Sequence, residues 1–520
     1  MSLTGRKLAP AYRVGGIGSP TDPEFPDSLF RCLSAILLLG FLQLIVASTG
    51  FAASAVEAGE ADFDRALEAE KKGDTDAALA FYDKAALSAP KNAAIFNNRG
   101  VVLTERGLYD RAVEDFDKAL SLAPDNPGTY NNRGMAYQGK GEHNQALMDY
   151  TRAIDMDPDF VPALLNRAGR LAAMGRLEEA DSDLKRIIKI DPAQSAAYRI
   201  LGRIRLAGKA ADEALRAFDK ALKQNPKDPI ALQGKGDAAA EMGKHKVAAE
   251  SYRAVLKDQP ENAAALINLC AVLVGAGEAD QAVEYCERAA KSAPDRAETF
   301  FNLGNAYAET KALKNAVAAY DKALVLKSDY RGCLFNRGFV HYQMGDGDAA
   351  LRDFERVLEL DPDDAYALNG RGIILWERKD ADGATRDFQR AVDMALRNVA
   401  AAKNLGLAQL AAGSADKAVR TLEEAQKWAP KDPAAAAGLA EALAAQANWK
   451  KAVSAYGRAL KSAEGSPLEW RILAKRGLAW EKSGNLRNAK KDYEKAAGMA
   501  DDPAAREELK AKAGDIKGPR

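Results

Sequence analysis

From residue 59 onward, the chain places apolar residues on two helical stripes within every stretch of about 34 residues. When the positions of each stretch are numbered as columns, columns 4, 7, 8 and 11 share one helical stripe and columns 20, 24 and 27 share another; apart from column 7, these positions are mostly apolar or small. Each set has the three- and four-residue spacing of one helix face. Glycines at column 15, such as Gly73 and Gly107, separate the sets, and column-32 prolines such as Pro90 follow the second. The pattern predicts two amphipathic helices joined by a turn.

This unit recurs in constant register. The prolines at 90, 124, 158, 192, 226, 260 and 294 are 34 residues apart, and Pro362 and Pro430 continue the series. We call the units repeats 1 to 13; they begin at residues 59, 93, 127, 161, 195, 229, 263, 297, 331, 365, 399, 433 and 470. Column 20 is alanine in all of them, column 8 is small and column 24 is usually aromatic. Small residues let paired helices approach closely, and the column-24 ring fills the space between neighbouring repeats.

A 34-residue helix-turn-helix period with these columns resembles the tetratricopeptide repeat, over residues 59–503. The resemblance implies an all-α fold, a right-handed α-solenoid or superhelix, with a concave groove lined by the first helix of every pair. Such an array needs a cap at its end. Residues 504–513 are polar and helix-forming and are predicted to form this C-terminal capping helix, followed by a loose tail over 514–520.

The first 58 residues do not follow the repeat. Residues 1–28 contain four prolines and no apolar periodicity, so we expect them to be disordered. Within 29–55, the stretch Leu33 to Ala47 is almost wholly apolar, and Ala53-Ser54-Ala55 has the small-x-small pattern of a signal peptidase site. This segment is predicted to be a signal peptide or, if uncleaved, a membrane anchor. The segment before it is long and contains acidic residues, which is unusual for a signal peptide, and a translation start near Val14 or Leu29 would shorten it. Both readings place the repeats outside the cytoplasm, in the periplasm or secreted.

Composition excludes several other functions. Lys+Arg and Asp+Glu both number 74, so no bulk positive charge favours nucleic acid. Four cysteines and three histidines are too few for a metal cluster, and no phosphate-binding glycine motif occurs. His143 and His245 lie in turns at column 17, and His341 lies on a packing stripe at column 11. We therefore predict no enzyme activity, no cofactor, no metal site and no nucleic-acid partner.

Charged residues at columns 7 and 23 vary together. Six repeats carry arginine at column 7 and aspartate at column 23, whereas repeats with leucine at column 7 have no aspartate at column 23. The pairs are Arg99 with Asp115, Arg133 with Asp149, Arg167 with Asp183, Arg337 with Asp353, Arg371 with Asp387, and Arg476 with Asp492. This covariation predicts a structural bridge between the two helices of one repeat, rather than a ligand site.

Asparagine recurs at column 6, on the edge of the first helix that faces the groove. The residues are Asn98, Asn132, Asn166, Asn268, Asn302, Asn336 and Asn404, with breaks at Ile200, Gly234 and Gly370. An asparagine amide both donates and accepts, so it can pair with the backbone of an extended peptide. This resembles the asparagine ladder of some tetratricopeptide proteins, which implies peptide capture. The alternative is that each amide bonds its own helix or water.

Aromatic residues concentrate on groove columns 2, 5, 9 and 12 of repeats 8 to 10. Together with one asparagine and one isoleucine they are Phe301, Asn305, Phe335, Phe339, Tyr342, Tyr366, Ile373 and Trp376. Rings on a surface that the array does not itself bury indicate a partner site. Alternatively, some rings pack between first helices. The family's clamp for acidic C-terminal tails is incomplete: Phe301 stands in place of its first lysine, and Tyr366 and Gly370 in place of its last basic pair.

Cys270 and Cys286 stand at columns 8 and 24 of repeat 7. These columns meet across the helix pair, so a disulfide is compatible with the geometry in an oxidising compartment. Two small, buried packing residues are the alternative. Taken together, the sequence predicts an exported, non-catalytic scaffold that binds a protein segment in its groove. A membrane-anchored assembly subunit and an adaptor that positions a catalytic partner are the alternatives. The partner and the oligomeric state are open.

Overall fold

The computed structural model describes residues 57–395 and 397–516, and every regular element in these residues is an α-helix. The predicted disordered segment 1–28 and the predicted signal peptide or anchor 29–55 lie outside the described residues. Contacts divide the chain into two compact bodies, which we call the first body, ending at Ile200, and the second body, beginning at Leu201.

The first body contains α1 over 57–72, α2 (Thr75–Ser88), α3 (Ala93–Glu105), α4 (Tyr109–Leu122), α5 (Pro127–Lys140), α6 (His143–Met156), α7 (Val161–Ala173) and α8 (Leu177–Ile190). Helix α9 (Ser195–Ala207) contains the boundary between the bodies. The second body continues with α10 (Ala211–Gln224), α11 (Pro229–Glu241), α12 (His245–Asp258), α13 (Ala263–Gly275), α14 (Ala279–Ser292), α15 (Ala297–Glu309), α16 (Leu313–Leu326), α17 (Arg331–Gln343) and α18 (Gly347–Leu360). It ends with α19 (Ala365–Glu377), α20 (Ala381–Met394), α21 (Val399–Ala411), α22 (Ala415–Trp428), α23 (Pro433–Ala445), α24 (Trp449–Ala463), α25 (Glu469–Lys482), α26 (Leu486–Met499) and α27 (Pro503–Asp515).

Each repeat is thus one helix pair, whose ends are fixed by local chemistry. Where column 34 is aspartate or asparagine, its side chain caps the next first helix; the Asn92 side chain, for example, accepts a hydrogen bond from the Ala94 amide at 3.0 Å. The turn between paired helices requires a positive φ at column 15, which glycine supplies in most repeats, as at Gly413 (φ 74°). Lys209, Lys311, Lys379 and Ala447 adopt the same conformation without being glycine.

The core follows columns 8, 20 and 24, as the sequence predicts. A Cβ on Gly304 would lie 2.4 Å from the Tyr320 ring, so the ring occupies the space beside the column-8 glycine. The column-24 ring also faces the following repeat, because a Cβ on Gly234 would lie 2.3 Å from Phe218. Gly234 is one of the breaks in the asparagine column, and there the ring occupies the space beside the glycine backbone. Gly370 meets Phe354 in the same way.

Within each body, first helices of successive repeats lie side by side, as in the rows α3, α5, α7 and α11, α13, α15, α17. We call the side of these helices that carries columns 2, 5, 9 and 12 the groove face. None of the helices in the part of the chain that the structure describes is both long and apolar enough to cross a lipid bilayer.

Helix α27 packs on the last repeat and buries Leu509 and Ala513. It covers the predicted capping segment 504–513 and extends through Gly514 and Asp515, which the sequence placed in the loose tail. Ile516, which follows the helix, packs against the terminal apolar cluster.

Cys270 and Cys286 form a disulfide between α13 and α14, with a Cα–Cα distance of 5.1 Å. Both cysteines are fully buried. Of the two alternatives that the sequence left open, the bonded one is therefore present in the structure. Cys333 is a free, buried cysteine.

Candidate functional site

The column-7 arginines form the bridges that the covariation predicts. Arg337 donates from Nε and Nη2 to the two carboxylate oxygens of Asp353, at 2.9 and 2.6 Å. The same two-point contact occurs in all six predicted pairs, at distances of 2.6 to 2.9 Å. Every aspartate is buried. The prediction of a bridge within the repeat is confirmed. The charges of these arginines are paired within the solenoid.

A third contact of these arginines was missed by the sequence analysis. Nη1 of Arg337 reaches back to Asp321 of the preceding repeat at 2.5 Å, and Arg99 reaches Asp83 at 2.8 Å. Asp83 and Asp321 stand at column 25, and each of the four aspartates at this column precedes a repeat with arginine or lysine at column 7. That covariation across the repeat boundary was the available signal. The hydrogen bonds that Arg337 donates raise its pKa, led by those to Asp353, while burial lowers the pKa less.

The column-6 asparagines use their amide donors between repeats. Asn132 donates to Asn97 at 3.1 Å, Asn166 to Asn131 at 2.9 Å, and Asn404 to Asn369 at 2.9 Å. In each case the acceptor is column 5 of the preceding first helix. Asn98 accepts from Asn97, and Asn302 is half-buried on α15. The asparagines therefore connect successive first helices, a role that neither interpretation of the sequence predicted.

Two asparagines join a network that includes the column-24 tyrosine. The Tyr320 hydroxyl and the Asn336 amide both donate to Oδ1 of Asn305, at 2.7 and 2.8 Å. Tyr252 and Asn268 converge in the same way on Asp237, at 2.7 and 2.9 Å. The network links a second helix, its own first helix and the next first helix. Asn305 is on the groove face and Asn336 borders it, but these hydrogen bonds already use the Asn305 oxygen and the Asn336 amide donor.

The aromatic residues of repeats 8 to 10 divide into an inward and an outward set. Phe301 packs on Tyr330, with ring centroids 4.9 Å apart, and Phe335 packs on Phe354 at 5.7 Å. Ile373 packs against the cluster around Phe388. All three residues are half-buried, and the ring contacts of Phe301 and Phe335 are with residues outside the first helices rather than between first helices as the alternative expected.

The outward set consists of Phe339, Tyr366 and Trp376, which are 50%, 67% and 37% exposed. Tyr366 stands edge-on to Phe335, with centroids 6.2 Å apart, so the outer ring rests on an inner one. The Tyr342 hydroxyl donates to Glu377 at 2.7 Å and connects α17 to α19. The structure therefore exposes an aromatic surface on two successive first helices, which we call the aromatic patch: Phe339, Tyr342, Tyr366 and Trp376.

Four family models, each described as a tetratricopeptide or TPR repeat, match the chain at residues 91–159, at 335–395 and 380–436, at 304–345, and at 137–204, 171–236, 239–303 and 409–475. Together they extend from residue 91 to residue 475, apart from residues 237 and 238. The chain is a tetratricopeptide repeat protein. No curated protein matches its sequence.

Solved structures similar to this tetratricopeptide repeat protein include yeast Tom70, at 17% identity over 82% of this chain and 96% of that one, with a TM-score of 0.38. The APC/C hetero-tetramer Cut9-Hcn1 matches at 16% identity over 80% and 89%, with a TM-score of 0.42. MamA 41-end from Desulfovibrio magneticus RS-1 matches at 26% identity over 33% and 96%, with a TM-score of 0.31.

The histidines of this tetratricopeptide repeat protein are dispersed. His143 lies 2.8 Å from Nη1 of Arg170, and His245 lies against Gly275. Among the described residues, no three His, Cys, Asp or Glu side chains form a group that could hold a metal ion. The cavity of about 860 Å³ between α6 and α8 is lined mainly by charged and polar side chains, including Arg152, Asp155 and Arg176.

Proposed function

We propose that this protein is an exported, non-catalytic scaffold that binds a segment of another protein on the groove face of repeats 8 to 10. One observation carries the proposal: Phe339, Tyr366 and Trp376 are large aromatic side chains left exposed on adjacent first helices. Exposed rings grouped in this way are typical of binding hot spots, which favour Trp and Tyr. The alternative in which the array positions a catalytic partner uses the same surface.

The amides beside the patch support capture of an extended segment. Asn336 and Asn404 are half-buried, and each uses its amide donor within the solenoid. These hydrogen bonds fix the side chains, so that the carbonyl oxygens are held in place as acceptors for a partner's backbone amide.

Export is the second part of the proposal. The apolar segment Leu33 to Ala47 and the Ala53-Ser54-Ala55 pattern support it, and so does the disulfide between Cys270 and Cys286. Disulfides persist in oxidising compartments outside the cytoplasm. Cell fractionation with N-terminal sequencing separates the alternatives: a cleaved protein starts near Val56, whereas a membrane-anchored subunit retains the apolar segment. A cytoplasmic full-length chain contradicts both.

The groove is tested by capture of partners with the full chain and two variants. Trp376→Ala is expected to weaken partner capture by about 2 kcal/mol or more, because a hot-spot ring is lost. Val325→Ala is the matched control, since Val325 is an exposed apolar residue of the same body on the second helix α16. Far-UV circular dichroism checks the fold, which both variants should retain. If Trp376→Ala unfolds the array while the folded fraction keeps its affinity, the ring is part of the core and the site assignment is wrong.

A further inference from the structure

We propose that the occupant of the aromatic patch is an extended partner segment that carries basic side chains next to apolar ones. The inference rests on the proposed function above and specifies the chemistry of its partner. It follows from which charges on the groove face are neutralised within the solenoid and which are not.

The basic residues of the three first helices in repeats 8 to 10 are all neutralised. Arg337 and Arg371 form the two-point bridges to Asp353 and Asp387, and Arg331 pairs with Asp361. These arginines therefore do not offer a free positive charge to a ligand.

The acidic residues of the same helices are not neutralised to the same extent. Glu309 and Glu377 stand at column 13, at the ends of α15 and α19, and both are exposed. Within the described residues, neither forms an ion pair; Glu377 accepts only the Tyr342 hydroxyl. That hydrogen bond raises the pKa of Tyr342, and burial adds to the effect, so the phenol stays neutral beside Glu377. On the three first helices, the charge that no ion pair compensates is therefore negative.

The aromatic rings add a second reason for a basic partner. Trp376 precedes Glu377 directly in the chain, and the same hydrogen bond places that carboxylate beside Tyr342. A lysine or arginine can interact with an aromatic face and with a carboxylate at once. Its aliphatic stem and a neighbouring apolar side chain would cover Phe339 and Tyr366.

An acidic segment lacks these partners. Three positions at which the family's clamp for acidic tails needs basic residues are Phe301, Tyr366 and Gly370 here. A carboxylate in this groove would meet Glu309 and Glu377 and no unpaired arginine of the three first helices. Charge complementarity of this kind selects between partners.

The test measures fluorescence anisotropy of two labelled nonapeptides, one of alternating lysine and leucine and one of alternating glutamate and leucine, with the full chain. We expect the basic peptide to bind at least tenfold more tightly at low salt, and its affinity to fall as salt increases. The double variant Glu309→Gln/Glu377→Gln should lower that affinity about fivefold, which is the range for two solvent-exposed ion pairs. Reversal of both charges, Glu309→Lys/Glu377→Lys, should favour the acidic peptide.

Glu241→Gln is the matched control, because Glu241 is exposed at column 13 of repeat 6, away from the aromatic patch. Equal effects of the control and the double glutamine variant, equal affinity for the two peptides, or no binding of either peptide would each overturn the inference. The proposed function is tested separately: if Trp376→Ala abolishes capture of a natural partner while the glutamate variants do not affect it, the groove binds but its charge does not select the ligand.

Discussion

Single buried charges hold the two helices of several repeats together. Asp353 is 4% exposed and accepts hydrogen bonds from both Nε and Nη2 of Arg337. The pairing could be predicted from the sequence because both partners change together at fixed columns of one repeat. Its continuation to Asp321 was missed because that contact crosses a repeat boundary.

Removal of one partner should be costly, and replacement of both should not. Asp353→Ala leaves Arg337 half-buried without its main counter-charge, and we expect the local stability of repeat 9 to fall by about 3 kcal/mol. The double variant Arg337→Leu/Asp353→Ala reproduces Leu303 and Ala319 of repeat 8 and should recover most of that loss. Hydrogen exchange of α17 and α18 measures both values. If the double variant is no more stable than the single one, the two residues cannot be exchanged together for an apolar pair, and the prediction is wrong.

Cys333 provides a second prediction at this scale. Burial raises the pKa of its thiol to about 12, and the Sγ atom lies 3.5 Å from the Tyr320 carbonyl oxygen. A raised pKa reduces the reactive thiolate at pH 8, so iodoacetamide should modify Cys333 only in denaturant. Peptide mass spectrometry with and without denaturant measures this. Rapid labelling of the native chain would place the thiol on an accessible surface instead.

At the scale of the helix pair, the turn at column 15 requires a left-handed residue. The sequence predicted the turn wherever glycine occurs, and the structure shows the same φ at Lys209, Lys311, Lys379 and Ala447. The 34-residue register imposes this conformation on residues that do not favour it.

A reciprocal pair of substitutions in repeats 11 and 12 measures the cost of this conformation. Ala447→Gly should stabilise its helix pair by about 1 kcal/mol, and Gly413→Ala should destabilise its pair by a similar amount. A Cβ on Gly413 meets no atom within 4 Å, so the backbone alone determines the result. Chemical denaturation of both variants provides the comparison. Changes of the same sign would contradict the argument.

The groove was only partly predictable at this scale. The sequence correctly concentrated aromatic residues in repeats 8 to 10 but did not separate Phe301 and Phe335 from Tyr366. Column 5 borders both the groove and the neighbouring first helix, so its ring can turn either way. Contacts with Tyr330 and Phe354 determine that Phe301 and Phe335 turn inward. Neither Tyr330 nor Phe354 stands on a groove column, so the groove columns alone do not predict these contacts.

At the scale of the whole molecule, stability in a repeat array depends on each repeat and its neighbours. The disulfide closes a 16-residue separation inside repeat 7. Its reduction should lower the stability of that repeat by about 3 kcal/mol. Hydrogen exchange of α13 and α14 in oxidised and reduced chains measures the difference, with the Cys333→Ala variant as control. Unchanged protection on reduction would mean that the bond does not contribute to native stability.

The arginine bridges also bear on how such an array can grow. Repeat 2 has both residue types of the inter-repeat contact, Arg99 at column 7 and Asp117 at column 25. If repeat 2 were duplicated in tandem, the arginine of the second copy would therefore face the aspartate of the first. Repeat 10 carries Arg371 but has Gln389 at column 25, so the second of two tandem copies would place its arginine next to a neutral amide. Duplication in register is therefore not equally tolerated along the chain. Gene rearrangements that preserve the 34-residue period should still be selected by the charge at each new junction.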